Sequence, residues 1–234
     1  MVRKLAAAVA FLVAATVAHA AAVPDTLPTT SHAVTCPSHK TWHAPSGNAV
    51  KIPAAAVTND KMWTAGWTRK YSWALNMNTL VWGVNKWAKG TIRAGRGVIS
   101  YRVRVPANGR YRWSAEMASP HTTDWNDFWV RFPAGVARQR FGSPYGVGGR
   151  WLKVYSNVGR NKFSWGGGTV DHNPHMLITP WLYKGQVVEF RISGRSNQVK
   201  IAYFGLHRCK TTGRGSPSCK NLNKIKRAPV ARCW

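Results

Sequence analysis

Seven carboxylates are spread over 234 residues, and they limit what reactions this chain can run. Glycosidic cleavage needs two carboxyl groups flanking the bond. Glu116 and Glu189 are the only glutamates, and alternation puts both on outward strand positions among arginines. Asp124, Asp127 and Asp171 are also available, but no spacing marks an acid pair. No Gly-x-Ser-x-Gly elbow occurs. Cys36, Cys209, Cys219 and Cys233 show neither a Cys-x-x-Cys pair nor an ordered Cys/His spacing, so they read as two disulfides rather than a zinc site. A copper polysaccharide oxygenase would need a histidine as the mature N-terminus. Cleavage before His19 would supply one, but Ala18-x-Ala20 makes the cut after Ala20 the better reading. The expectation is a chain without catalysis, cofactor or metal.

Binding is better supplied. Thirteen tryptophans run from Trp42 to Trp234, and Lys and Arg number 34, for a formal charge of +27. Such a surface seeks polyanions: acidic or sulfated polysaccharide, nucleic acid, mineral or anionic membrane. Flat aromatic rings stack on the C–H faces of sugars and on bases alike. In Trp125-Asn126-Asp127-Phe128-Trp129, Trp125 stands at a loop edge after Thr122-Thr-Asp124 and is the candidate platform, with Asn126 beside it. Structural packing is the competing reading. Trp165, Asp171, His172 and Asn173 surround the Gly166–Gly168 run, and their polar groups suit ring hydroxyls. Asp171 and Asn173 are also ordinary turn formers. Arg102, Arg104, Arg110 and Arg112 form the candidate polyanion contact.

The elements that position these residues are strands. Ile99, Tyr101, Val103 and Val105 alternate with polar residues, as do Tyr111, Trp113, Ala115 and Met117 after Pro106-Ala-Asn-Gly109. This predicts a hairpin with a three-residue loop, Ala107 to Gly109, which sets Arg104 opposite Arg112 on one outer face. Directly opposed like charges are destabilising, so that face either splays into water or holds an anion. Further strands are expected at Asn126 to Phe132, Trp151 to Tyr155, Lys162 to Trp165, Gln186 to Ser193 and Gln198 to His207. In the last two, Val188, Phe190, Ile192, Val199, Ile201 and Tyr203 face inward. Residues 59–94 read as loops and short strands. No sustained helical period occurs, so the fold class is all-β.

The ends frame this domain. Arg3 and Lys4, an apolar run from Leu5 to Val17 too short to span a bilayer, and Ala18-His-Ala20 predict a signal peptide over 1–20 and hence secretion. Residues 21–35 read as a flexible leader, 36–209 as the β domain and 210–234 as an irregular basic tail. No later stretch is apolar enough to span a membrane. Chain ends often lie together, which favours Cys36 with Cys209 and leaves Cys219 with Cys233.

From Gly97 the ordered residues resemble a known family. Gly97-Val-Ile-Ser-Tyr leads to Val103-x-Val-Pro-x-Asn-Gly-x-Tyr111. Then follow Trp125-Asn-Asp-Phe-Trp-Val130, Trp151-Leu-Lys-Val-Tyr-Ser-Asn157, Phe163-Ser-Trp165, Thr169-Val-Asp-His-Asn-Pro-His175 and Ile192-Ser-Gly-Arg-Ser196. This order is similar to galactose-binding-like carbohydrate-binding modules of families 6 and 35, over Gly97 to Leu206. The resemblance implies an antiparallel jelly-roll β-sandwich, polysaccharide binding through loops at one end, and a structural calcium held by acids on the first and last strands. This chain departs there. Ala202 stands where an Asp is expected, and Lys51 to Val57 has no acid, so no such ion is expected.

Overall fold

The computed structural model describes residues 36–37, 39–44, 47–58, 66–83, 93–123, 125–133, 135–140, 143–146, 148–169, 175–210 and 219–234. The expected signal peptide and leader lie outside the described residues, as do Asp171, His172 and Asn173.

Two sheets face each other across one core, and the protein is an all-β sandwich. Among the described residues the smaller sheet orders its strands β12 (Trp151–Tyr155), β9 (Asp127–Arg131), β15 (Val187–Ser193), β7 (Ile99–Arg104), β2 (Thr41–His43) and β17 (Arg232–Cys233). The larger runs β11 (Ser143–Gly146), β10 (Ala137–Arg140), β14 (Met176–Ile178), β8 (Tyr111–Ala118), β16 (Lys200–Arg208), β6 (Met77–Trp82) and β5 (Trp67–Ser72). β13 (Ser164–Gly166) adds to β8 beyond β14, and β3 (Ala49–Pro53) adds to β16. β1 (Cys36–Pro37) and β4 (Val57–Thr58) form a small parallel pair.

The inward rows are those the alternation predicts, because every second residue of a strand shares a face. Ile99, Tyr101 and Val103 on β7 meet Trp113, Ala115 and Met117 on β8 within a single buried cluster. Trp113 anchors it: its ring packs against Phe128 and Phe190 of the smaller sheet and Phe132 just past β9, and stacks at 5.8 Å on Phe204 beside it.

The pairing differs from the expected hairpin. β7 pairs with β15 and β2, whereas β8 pairs with β16, β14 and β13. Val105–Arg110 is therefore a corner that carries the chain from one sheet to the other. Tyr111 ties the corner, its hydroxyl donating to the Ala107 carbonyl at 2.5 Å and accepting from the Ala107 amide at 3.1 Å. Arg104 stands opposite Val187 and His43, and Arg112 opposite Ile178 and His207, so the expected Arg–Arg clash does not arise. Two strands that face each other across a core show the same period-two pattern as two strands of a hairpin.

A second departure lies on β16. The register shifts between Ile201 and Tyr203, which turns Tyr203 outward and brings Phe204 and Leu206 into the core. A β-bulge adds one residue and so inverts the alternation beyond it.

The disulfides are Cys36–Cys233 and Cys209–Cys219, not the pairing expected from the sequence. The two ends of the described domain do lie together, but on the smaller sheet, where β17 pairs with β2 and Trp234 exchanges hydrogen bonds with Thr41. Cys209 follows β16 in the other sheet. The C-terminal segment is also more ordered than expected. After Cys219 it forms a single helical turn, α1 (Asn223–Lys226), then β17. Ile225 is fully buried with Ala49 and Ala228, against Trp165 and Leu222. It enters over Gly205, where a Cβ would stand 2.5 Å from Ile225 Cγ1 and 2.9 Å from the Trp165 ring. Glycine is required there because the strap lies directly on the sheet.

Candidate functional site

A cleft of about 470 Å³ opens on the outer side of the larger sheet. Arg112, Trp165 and Gly166–Gly168 line it together with Tyr155–Val158, His175, Met176 and Leu222 of the strap. Its walls are fixed by backbone. The Tyr155 amide donates to the Gly168 carbonyl at 3.1 Å, and the Ser156 and Ser164 hydroxyls lie 2.9 Å apart. The half-buried Trp165 lies nearly parallel to Tyr203, centroids 6.5 Å apart, and Lys51 Nζ stands 5.0 Å from the Tyr203 ring centroid. The Trp165 indole is thus held in one place, as a stacking group must be to contribute affinity.

The electrostatics of the cleft centre on Arg112. Its Nη1 donates to the Cys219 carbonyl at 3.1 Å and the Lys220 carbonyl at 3.3 Å, while its buried Nε has no hydrogen-bond partner. Burial pulls its pKa down to about 10. His207, opposite it in register, is pulled down to about 4, first by burial and then by the Arg112 charge, although its Nε2 lies 3.3 Å from the Cys219 carbonyl. His207 is therefore neutral at pH 7 and Arg112 is charged. Among the described residues no carboxylate lines the cleft. Glu116 lies four residues further along β8 from Arg112, with Lys51 and Lys226 acting on it.

The other expected site residues fall in several places. Trp125 adopts φ 55°, lies edge-on to His121 at 5.0 Å and does not line the cleft. Asn126 is buried. Its amide donates to the Thr122 and Ser156 carbonyls and, at 2.6 Å, to Asn157 Oδ1, so it braces the segment that forms one wall. Asp127 is tied to Arg195 and Ser196, with Lys153 3.8 Å away. Arg102 and Arg104 are exposed on the smaller sheet, Arg110 is exposed at the corner, and Arg112 lies on the larger sheet. These four are not one patch. Of the residues named from the sequence, Trp165 and Arg112 come together in the cleft. Tyr155, Ser156 and Val158 also line the cleft without a sequence pattern that marks them, since the pairing of Gly168 with Tyr155 across the fold has no sequence signal.

The implied calcium does not fit. Ala202 is fully buried, and β3 offers Lys51 in place of an acid. Among the described residues no group of three His, Cys, Asp or Glu side chains is placed to hold a metal ion.

No family model matches this chain, and no curated protein matches it. Solved structures similar to it include carbohydrate-binding modules of families 6 and 35. The C-terminal family 6 module of a laminarinase from Zobellia galactanivorans is 14% identical, with a TM-score of 0.39 over 69% of this chain and 100% of the module. A module from Cellvibrio mixtus lichenase 5A, solved with cellotriose, is 13% identical, with a TM-score of 0.38 over 71% of this chain and 100% of the module. A family 35 module from Clostridium thermocellum is 14% identical, with a TM-score of 0.33 over 69% and 99%.

Proposed function

We propose that this chain is a secreted, non-catalytic polysaccharide-binding protein that favours acidic or sulfated glycans. One observation carries the reading: the cleft joins a fixed indole, Trp165, to the half-buried guanidinium of Arg112, with no carboxylate among its described lining residues. A sugar ring stacks on the indole, and its carboxylate or sulfate approaches the guanidinium. The Ser156 hydroxyl, the Asn157 amide and the backbone of Gly166–Gly168 suit ring hydroxyls. A calorimetric titration at 0.15 M salt tests this, with a uronic-acid oligosaccharide and a neutral gluco-oligosaccharide of equal length. The acidic ligand should bind more tightly, and Trp165→Ala should weaken it by about tenfold or more with the β spectrum retained. Equal binding of both ligands, or no effect of Trp165→Ala, contradicts the reading.

A second reading is a cationic surface protein that binds polyanions by charge alone. The smaller sheet favours it, with Arg102 and Arg104 exposed and Arg131 directly opposite Arg191. Charge-only binding would fall steeply with salt and ignore Trp165→Ala.

A further inference from the structure

A different part of the molecule presents aromatic rings more openly than the cleft. After β14 the chain continues alongside the corner, where the Gly109 and Leu182 backbones exchange hydrogen bonds at 2.8 and 2.9 Å. Leu182 is buried in the main core. The residues on either side of it, Trp181 and Tyr183, are 45% and 66% exposed. In extended backbone the neighbours of an inward residue point outward together, about 7 Å apart. The antiparallel bridge places Arg110 across from Trp181 and Asn108 across from Tyr183.

The rings are mounted rigidly. Tyr183 and Gln186 exchange hydrogen bonds across the turn through Gly185, the Lys184 amide donates to Asn108 Oδ1 at 2.7 Å, and Arg104 Nη1 donates to the Gly185 carbonyl at 3.0 Å. Arg104, Arg110 and Lys184 thus stand around the two rings. Each described acid is engaged elsewhere: Asp127 with Arg195, Glu189 with Arg191, and Glu116 near Lys51 and Lys226. None of these aromatic or basic residues lines the cleft. The Cys209–Cys219 disulfide packs on Ile178 and on Met176, which lines the cleft.

We propose that Trp181 and Tyr183, with Arg104, Arg110 and Lys184, form a second binding surface for an anionic polysaccharide chain. The proposal rests on the polysaccharide reading of the cleft but uses none of its residues. Paired exposed rings among cations that no described acid neutralises match a polymer with apolar ring faces and regularly spaced anionic groups. A lipid surface would call for a wider apolar face than Pro180, Trp181 and Tyr183 present, because interfacial binding scales with the apolar area buried. A nucleic acid would have to unstack its bases, whereas a polysaccharide presents its ring faces in the free chain. Two surfaces on one protein also raise affinity for a long chain above that for a short one, because the second contact is intramolecular.

The test uses the full chain and alginate, a polyuronate, as immobilised polymer and as a tetrasaccharide, with a thirty-residue oligothymidylate and phosphatidylserine vesicles as controls. The double variant Trp181→Ala/Tyr183→Ala should lose about tenfold or more in polymer affinity, keep the tetrasaccharide affinity of the parent, and keep its melting temperature. The double variant Arg104→Ala/Arg110→Ala should lower the slope of log affinity against log salt on the polymer by on the order of one to two. Polymer binding unchanged in the aromatic variant overturns the second surface, and so does a loss confined to the oligonucleotide or the vesicles. Trp165→Ala measured in parallel separates the two ideas. If it alone weakens both ligands, the cleft stands without the second surface; if only the aromatic variant weakens the polymer, the second surface stands and the cleft reading fails.

Discussion

The outer faces of the two sheets begin from the same kind of sequence and end in opposite environments. On β7 the outward residues include Arg102 and Arg104, both exposed. On β8 they are Arg112, Ser114 and Glu116, of which Ser114 is fully buried and the others half-buried. The C-terminal strap makes the difference. It crosses the larger sheet between the two disulfides and seats Ile225 over Gly205, whereas the described residues place no such strap over Arg102 and Arg104. A covered polar row becomes a cleft with a desolvated cation, while an uncovered one stays a solvated basic surface. The lesson is that alternation assigns a side chain to the outside of a sheet but not to solvent.

Removing the strap's anchor should have the largest effect. Ile225→Ala should cost about 2–4 kcal/mol in denaturant unfolding, the range for emptying a buried aliphatic site. A cost near zero would mean that the strap does not contribute to holding the larger sheet's outer face. Acidification comes next. His207 has a folded pKa near 4 against an ordinary value of 6.5, so the unfolded chain takes up its proton first. Its contribution is fully present above pH 6.5 and fades as pH falls toward 4, by about 3 kcal/mol. Burial raises Glu116, which acts in the opposite sense over acid pH. The comparison is therefore parent against His207→Gln, whose stability should lack this fall. Gly205→Ala should cost about 1–3 kcal/mol, because the added methyl meets Ile225 and Trp165. On the uncovered face, Arg104→Ala should change stability by no more than about 0.5 kcal/mol. A larger loss would show that this row is structurally engaged after all.

The sequence made some of this legible and hid the rest for definable reasons. The inward rows of β7, β8 and β15 follow from period two, and β12 has the predicted bounds Trp151–Tyr155. Which strands pair was not legible, because facing strands and paired strands share one pattern; hence the mistaken Arg104–Arg112 opposition. Tyr203 was misassigned because one bulge residue inverts the alternation. The disulfide pairing was missed because Cys209 and Cys233 end strands in different sheets, a fact of topology that spacing does not encode. In the cleft, Trp165 and Arg112 were identifiable by type. That Arg112 is partly covered depends on Leu222 and the Cys219 carbonyl, about a hundred residues away in the chain. Trp181 and Tyr183 do carry a signal in the sequence, two aromatics flanking one leucine.

The central claim is that the covered face, and not charge in general, holds the ligand. The most direct measurement follows the thirteen tryptophan indole signals and the glycine amides by nuclear magnetic resonance while an alginate tetrasaccharide is added at 0.15 M salt. The account predicts saturable shifts of the Trp165 indole and the Gly166–Gly168 amides, complete at ligand concentrations where the Trp181 indole of the second surface has barely moved. Shifts spread over the exposed arginine-rich face, with Trp165 and its glycines unmoved at saturation, would contradict it.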